Sequence, residues 1–162
     1  MSVDNMSILG KLFYNNTISF IVYLISSAIS FLCIIFIFSM RDFPGILFYG
    51  IFIPVVSLIF IATGFSLLKH TGSYLYLSTL SVFLLLALVI VFCILNGGGD
   101  AYGIYMFANP IYGEPINNLI YHLFGFSDNL SRFPFSCFMS ALIPSLLMYG
   151  GLELRLFVNK SV

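Results

Sequence analysis

The chain has 162 residues, of which 60% are hydrophobic and only 7% are charged. Its mean hydropathy of +1.09 excludes an ordinary water-soluble domain, in which about a quarter of the residues are charged. Six Lys and Arg residues balance six Asp and Glu residues, and they do not form the clustered basic stripe that nucleic-acid binding requires. The composition therefore indicates an integral membrane protein whose apolar surface faces the lipid bilayer.

Four nearly charge-free stretches are long enough to cross a hydrocarbon core of roughly 30 Å at about 1.5 Å per helical residue. They predict transmembrane helices over approximately 17–40, 45–68, 74–95 and 135–157. The first two connections are short, so consecutive helices should lie antiparallel and side by side. The predicted fold is all-α: a single polytopic membrane domain over 1–162, with four helices in an up-down bundle.

The cations are distributed unequally between the two ends of this predicted bundle. With a cytoplasmic N-terminus, four of the six cations lie inside, and these are Lys11, Lys69, Arg155 and Lys160. Cytoplasmic flanks of membrane helices carry an excess of Lys and Arg. We therefore expect an integral protein of the cell (inner) membrane with both termini in the cytoplasm.

Small residues predict where the helices touch, because they allow close approach and hydrogen bonds between helices. They are Ser19, Ser26 and Ser30 in the first helix, Gly50, Ser57 and Gly64 in the second, and Ser78 and Ser81 in the third. Pro54 and Pro144 should kink or loosen the second and fourth helices. The cores of the first three helices contain no ionisable residue, which argues against an ion-coupled transporter.

The long third connection, residues 96–134, is the predicted extracytoplasmic loop and the candidate functional region. Its opening Asn-Gly-Gly-Gly-Asp at 96–100 is interpreted as a helix C-cap, because the Lys of a phosphate-binding loop does not follow. The next stretch, 101–113, is uncharged and aromatic. We expect it at the bilayer interface or packed over the helix ends.

A short amphipathic helix is predicted at 115–124. Apolar residues recur from Ile116 with helical spacing, and Pro115 and Gly125 are typical of a helix start and stop. The polar side contains no Lys or Arg, so attraction to anionic lipid is not expected there. Its apolar face should be held by the bundle itself or by a partner.

The ionisable and sulfur-containing residues predict neither a metal site nor a cofactor. His122 could in principle act as a base, but no second histidine or paired-ligand spacing accompanies it. The cysteines form no CxxC pair, although Cys93 and Cys137 have comparable predicted depth, which would allow a disulfide. Glu153 is expected to reach the cytoplasmic interface or to pair with Lys69.

The preferred hypothesis is a small non-enzymatic membrane protein that binds another membrane or envelope component through the long loop. It would be an accessory subunit or a protective protein of the immunity or superinfection-exclusion type. The predicted partner-binding residues are Tyr102, Tyr105, Phe107, Tyr112, Glu114, Leu119, His122 and Leu123. Its partners would be the lipid bilayer and another membrane or envelope protein, not nucleic acid, and homo-oligomerisation stays open.

Two alternatives remain. One is an oligomeric channel or facilitator, whose pore would be lined by Ser, Thr, Tyr and Asn because no charged ring exists. The other is a membrane-embedded enzyme acting on a lipid-linked substrate. Its candidate residues are Asp100, Glu114, His122, Asp128 and Arg132.

Overall fold

The structure is a computed structural model, and it describes residues 7–38, 45–95, 104–105, 108–113, 115–116 and 129–160. Within these ranges the chain is helical and contains no strand, so the predicted all-α class is confirmed there. The elements are α1 (Ile8–Phe38), α2 (Gly45–Ser66), a 3₁₀ helix (Gly72–Thr79), α3 (Leu80–Leu95) and α4 (Asn129–Lys160).

Three of the described helical segments are long and apolar enough to span a membrane. They are Ile8–Ile35, Tyr76–Leu95 and Cys137–Lys160, and Gly50–Ser66 is a shorter apolar helix. The prediction of a membrane protein is thus supported by helix length and composition together.

The first and last helices are longer than their predicted spans. α1 begins at Ile8 rather than at 17, and α4 begins at Asn129 rather than at 135 and ends at Lys160 rather than at 157. The predicted first span starts after Asn15 and Asn16. In the structure both amides lie within the helix and are hydrogen bonded to other parts of the chain.

The distribution of side chains differs from that in a water-soluble protein in what lies on the surface and in how many polar side chains are buried. Hydroxyl and amide side chains are buried: Ser19, Ser78 and Ser140 have no exposed surface. Large aliphatic and aromatic side chains face outward along every helix, as Leu32 (65% exposed), Leu58 (64%) and Leu88 (68%) do. Such a surface is stable only against lipid, because water would penalise its apolar area.

The most extensive helix contact joins α2 and α4. At its centre two glycines bring the backbones together: a Cβ at Gly64 would lie 2.8 Å from the carbonyl carbon of Met148, and a Cβ at Gly151 would lie 2.9 Å from that of Ile61. The predicted contact at Gly64 is confirmed. The one predicted at Gly50 is not found, since no described atom lies within 4 Å of its Cβ position.

The helix neighbours differ from those that the short connections predict. α2 and α3 make at most marginal contact, whereas α3 packs on α4 and on α1. The reason is the 3₁₀ helix between them, which packs against α1 and α4, so that α3 starts beside these two helices rather than beside α2. Thr79 and Ser145 fix this position, each donating its hydroxyl to the carbonyl oxygen of the other at 3.1 and 2.9 Å.

Asn15 and Asn16 of α1 fasten the connection between α2 and α3. The Asn15 side chain accepts from the Lys69 N–H and donates to the Lys69 carbonyl, both at 2.7 Å, and it also donates to Ser78 Oγ at 3.0 Å. The Asn16 side chain donates to the Leu77 carbonyl at 2.8 Å and accepts from the Ser81 N–H at 2.8 Å. These bonds satisfy backbone groups that lipid could not.

Both proline-containing helices continue through their prolines. Pro54 lies inside α2, and α4 runs unbroken past Pro144. Pro144 is buried, whereas Pro54 is exposed. The loosening predicted at these positions therefore does not end either helix.

Candidate functional site

The described residues of the long connection, 104–105, 108–113 and 115–116, pack into the bundle. Its described residues form successive helical turns, because Asn109 N donates to Tyr105 O at 2.8 Å, Gly113 N to Asn109 O at 3.0 Å, and Ile116 N to Tyr112 O at 3.1 Å. We call residues 104–116 the anchored segment. The described residues of this aromatic stretch are largely buried. They contact Tyr23 and Ser57 near the middle of α1 and α2, so they pack among the helices rather than over their ends.

Tyr105 is the main anchor of this segment. Its side chain has no exposed surface, and its hydroxyl donates to the Cys137 carbonyl of α4 at 2.7 Å and contacts Ser140 Oγ. Burial raises the pKa of the Tyr105 hydroxyl, although its bonds to Ser140 and Asn109 act in the opposite direction. The hydroxyl therefore remains protonated at neutral pH and can donate to the helix.

Asn109 completes the same hydrogen-bonded cluster one helical turn later. Its Nδ2 donates to Tyr105 Oη at 2.9 Å and to Ser140 Oγ at 3.2 Å. The side chain is fully buried, and its Oδ1 has no hydrogen-bond partner among the described residues. The Tyr105, Asn109 and Ser140 cluster thus fixes the loop to α4 through polar bonds of defined direction.

Three aromatic rings hold the other side of the segment. Tyr23 of α1 donates its hydroxyl to the Ala108 carbonyl, and Tyr112 Oη and Ser57 Oγ of α2 lie 2.9 Å apart. Phe60 lies between the two tyrosines, with ring centroids 6.3 Å from Tyr23 and 6.4 Å from Tyr112. The anchored segment is therefore bonded to α1, α2 and α4 at once.

Two of the eight predicted partner-binding residues can be placed. Tyr105 and Tyr112 are 0% and 3% exposed, so their side chains contact the protein's own helices, and a partner would reach them only if the segment moved. The remaining six lie outside the described residues: Tyr102, Phe107, Glu114, Leu119, His122 and Leu123. The predicted helix at 115–124 is described only at Pro115 and Ile116, which are helical.

The residues of the enzyme alternative are not brought together in the described structure. Asp100, Glu114, His122 and Asp128 lie outside the described ranges. Arg132 belongs to the backbone of α4, but its side chain is not among those described.

Sequence reasoning missed Tyr23, Asn109 and Ser140 as anchors. A usable signal was present for Asn109, because it follows Tyr105 by four residues and so shares one helical face with it. No comparable signal pointed to Tyr23 or Ser140, whose roles depend on which helices meet.

The two buried thiols and the Glu153 carboxylate take simple roles. Cys93 and Cys137 are both buried and carry thiols rather than the disulfide that their depth would allow. Glu153 is exposed, and its Oε1 accepts a hydrogen bond from Tyr149 Oη at 2.7 Å. Its described partner is thus a tyrosine one turn away rather than Lys69.

Comparison with known proteins adds no family assignment. No protein-family model matches the chain, and neither a curated protein nor a solved structure resembles it significantly. The function is therefore argued from the chain's own residues.

Proposed function

We propose that the chain is a non-enzymatic integral membrane protein that binds another membrane or envelope component through its 96–134 connection. In this proposal it acts as an accessory subunit or as a protective protein of the immunity or superinfection-exclusion type. The observation that carries the proposal is the anchored segment, in which Tyr105, Asn109 and Tyr112 bond part of the loop to three helices. A loop that is already held in one position loses less conformational entropy when it binds a partner.

The proposal includes four membrane spans in up-down order, with α2 as the fourth span. α2 has 22 residues, which corresponds to about 33 Å at 1.5 Å per residue and is enough to cross the hydrocarbon core. Its extensive packing on the membrane-length helix α4 supports the same depth for both. Both termini then lie on the cytoplasmic face of the cell membrane, with 96–134 on the opposite face.

The experiment uses crosslinking from defined positions of the loop. A photoreactive amino acid placed at Leu119 or Leu123 should capture one partner in native membranes, and the same probe at the lipid-facing Leu88 should not. Alanine substitution of Leu119 together with Leu123 should abolish co-purification of that partner while the protein still inserts. The proposal fails if the partner is retained at wild-type level in this variant.

One observation favours a channel or facilitator as a second candidate. A polar face runs along α1 through Asn15, Ser19, Tyr23, Ser26 and Ser30, all of which are buried. It extends over about 22 Å of helix, and Ser19 Oγ has no hydrogen-bond partner among the described residues. Uncharged polar side chains of this kind are suited to line a path for small neutral solutes.

Solute flux separates the two candidates. Purified protein in sealed vesicles should increase the rate of glycerol or water efflux if the α1 face conducts, and Ser19→Leu should remove the increase. Efflux equal to that of protein-free vesicles eliminates the second candidate and leaves the first unaffected.

A further inference from the structure

Three segments that each carry a cation come together where α1 begins and α4 ends. Arg155 Nη2 donates to the Leu68 carbonyl at 2.6 Å, which places the guanidinium beside the Lys69 peptide. The Asn15 side chain bonds the Lys69 backbone from the other side at 2.7 Å, and Lys11 precedes Asn15 by one helical turn on the same face. We call Lys11, Lys69 and Arg155 the basic end of the bundle.

The charge at this end is unbalanced. Lys160 lies in the last turn of α4 and adds a fourth cation. The described carboxylate nearby is Glu153, which is exposed and hydrogen bonded by Tyr149. Among the described residues this end thus carries four cations and one carboxylate.

Exposed apolar side chains lie at the same level of the bundle as these cations, on other faces of the helices. Phe13 is 76% exposed and lies close to Lys11 in the chain, Leu67 is 45% exposed and precedes Lys69 by two residues, and Phe157 is 72% exposed and follows Arg155 by two. Charged groups next to exposed apolar residues are typical of the membrane interface, where the aliphatic stem stays in hydrocarbon and the charge reaches the headgroups.

We propose that the basic end binds the headgroup phosphate of an acidic phospholipid. Arg155 uses one nitrogen on the Leu68 carbonyl, and a guanidinium has further N–H donors suited to phosphate oxygens. Lys11 and Lys69 add positive charge, which favours a lipid of net negative charge. In a zwitterionic lipid the cationic headgroup already offsets the charge of the phosphate. A lipid is favoured over free phosphate because the exposed Phe13, Leu67 and Phe157 place this level of the bundle at the edge of the hydrocarbon, where the headgroups lie.

The test measures lipid retention by the full chain in mixed micelles. Phosphatidylglycerol and phosphatidylcholine with identical acyl chains are titrated separately, and bound lipid is counted by native mass spectrometry. Wild type should retain phosphatidylglycerol in preference, with affinity falling about fivefold for each of Lys11→Gln and Lys69→Gln. The preference should also weaken as salt is raised.

Two controls distinguish binding at a defined site from a nonspecific effect of the protein's net charge. Arg132→Gln removes one cation from the opposite end of α4 and should leave retention unchanged, and Arg155→Lys, which keeps the charge, should bind more tightly than Arg155→Gln. Equal retention of both lipids by wild type, or an equal loss in Arg132→Gln, overturns the proposal. Displacement of the lipid by inorganic phosphate at millimolar concentration overturns the lipid assignment. Neither result bears on partner binding by the loop.

Discussion

At the scale of single residues, the buried polar side chains act as directed fasteners between apolar helices. In lipid, dispersion and hydrogen bonds rather than hydrophobic burial decide which helix faces meet. Tyr105 and Asn15 each join segments far apart in the chain. Their removal should therefore loosen specific contacts and leave the apolar surface unchanged.

Tyr105→Phe tests the anchored segment. The change deletes the donor to the Cys137 carbonyl and the acceptor for Asn109 Nδ2, so it should lower the free energy of unfolding by about 1–2 kcal/mol. Unfolding in detergent, followed by circular dichroism, measures the loss. Tyr76→Phe is the matched control, because Tyr76 is 61% exposed; a similar loss in both variants would count against the anchor.

Asn15→Ala tests the fastening of the α2–α3 connection. The change removes three hydrogen bonds, including the one that the Lys69 N–H donates to Asn15. The free energy of unfolding should fall by about 1–3 kcal/mol. Limited proteolysis should then cut near 69–72 faster than in wild type. The exposed Asn159, changed to Ala, provides the control, and unchanged cleavage in Asn15→Ala would contradict the assigned role.

At the scale of whole elements, the positions of the helices were predictable and their partners were not. A charge-free run of sufficient length is a local property, so α2 and α3 fall close to the predicted spans. Neighbours depend on three-dimensional contacts such as Gly64 against Met148, and chain order suggested α2 beside α3 instead of beside α4. The burial of Tyr105 was also undecided from sequence, because an uncharged aromatic stretch fits the bilayer interface equally well.

The α2–α4 contact gives a matched pair of variants at adjacent positions. Gly151→Ala places a methyl group against the Ile61 carbonyl, whereas no described atom lies within 4 Å of the Cβ position at Gly150. Gly151→Ala should therefore destabilise the bundle by about 1–3 kcal/mol, and Gly150→Ala should be nearly neutral. The comparison is read from the two unfolding midpoints in the same detergent, and equal midpoints would show that the backbones do not cross there.

At the scale of the molecule, the described cations lie toward one end of the bundle, and the anchored segment packs between that end and the opposite one. Lys69, Arg155 and the first turns of α1 come together at one end. Tyr105 contacts the early part of α4, and Tyr112 contacts Ser57 in the middle of α2. A bilayer between these ends accounts for the outward-facing aliphatic side chains. The four-span arrangement that we propose would place the 96–134 connection opposite the termini.

The most direct test of whether α2 crosses the membrane is the accessibility of single cysteines placed on either side of it. In a variant lacking Cys33, Cys93 and Cys137, single cysteines at Asp42 and His70 are labelled with a membrane-impermeant maleimide in sealed vesicles of known orientation. The account predicts that Asp42→Cys reacts from the face opposite to His70→Cys, with Asn159→Cys sharing the face of His70→Cys. Labelling of Asp42→Cys and His70→Cys from the same face would contradict the four-span arrangement.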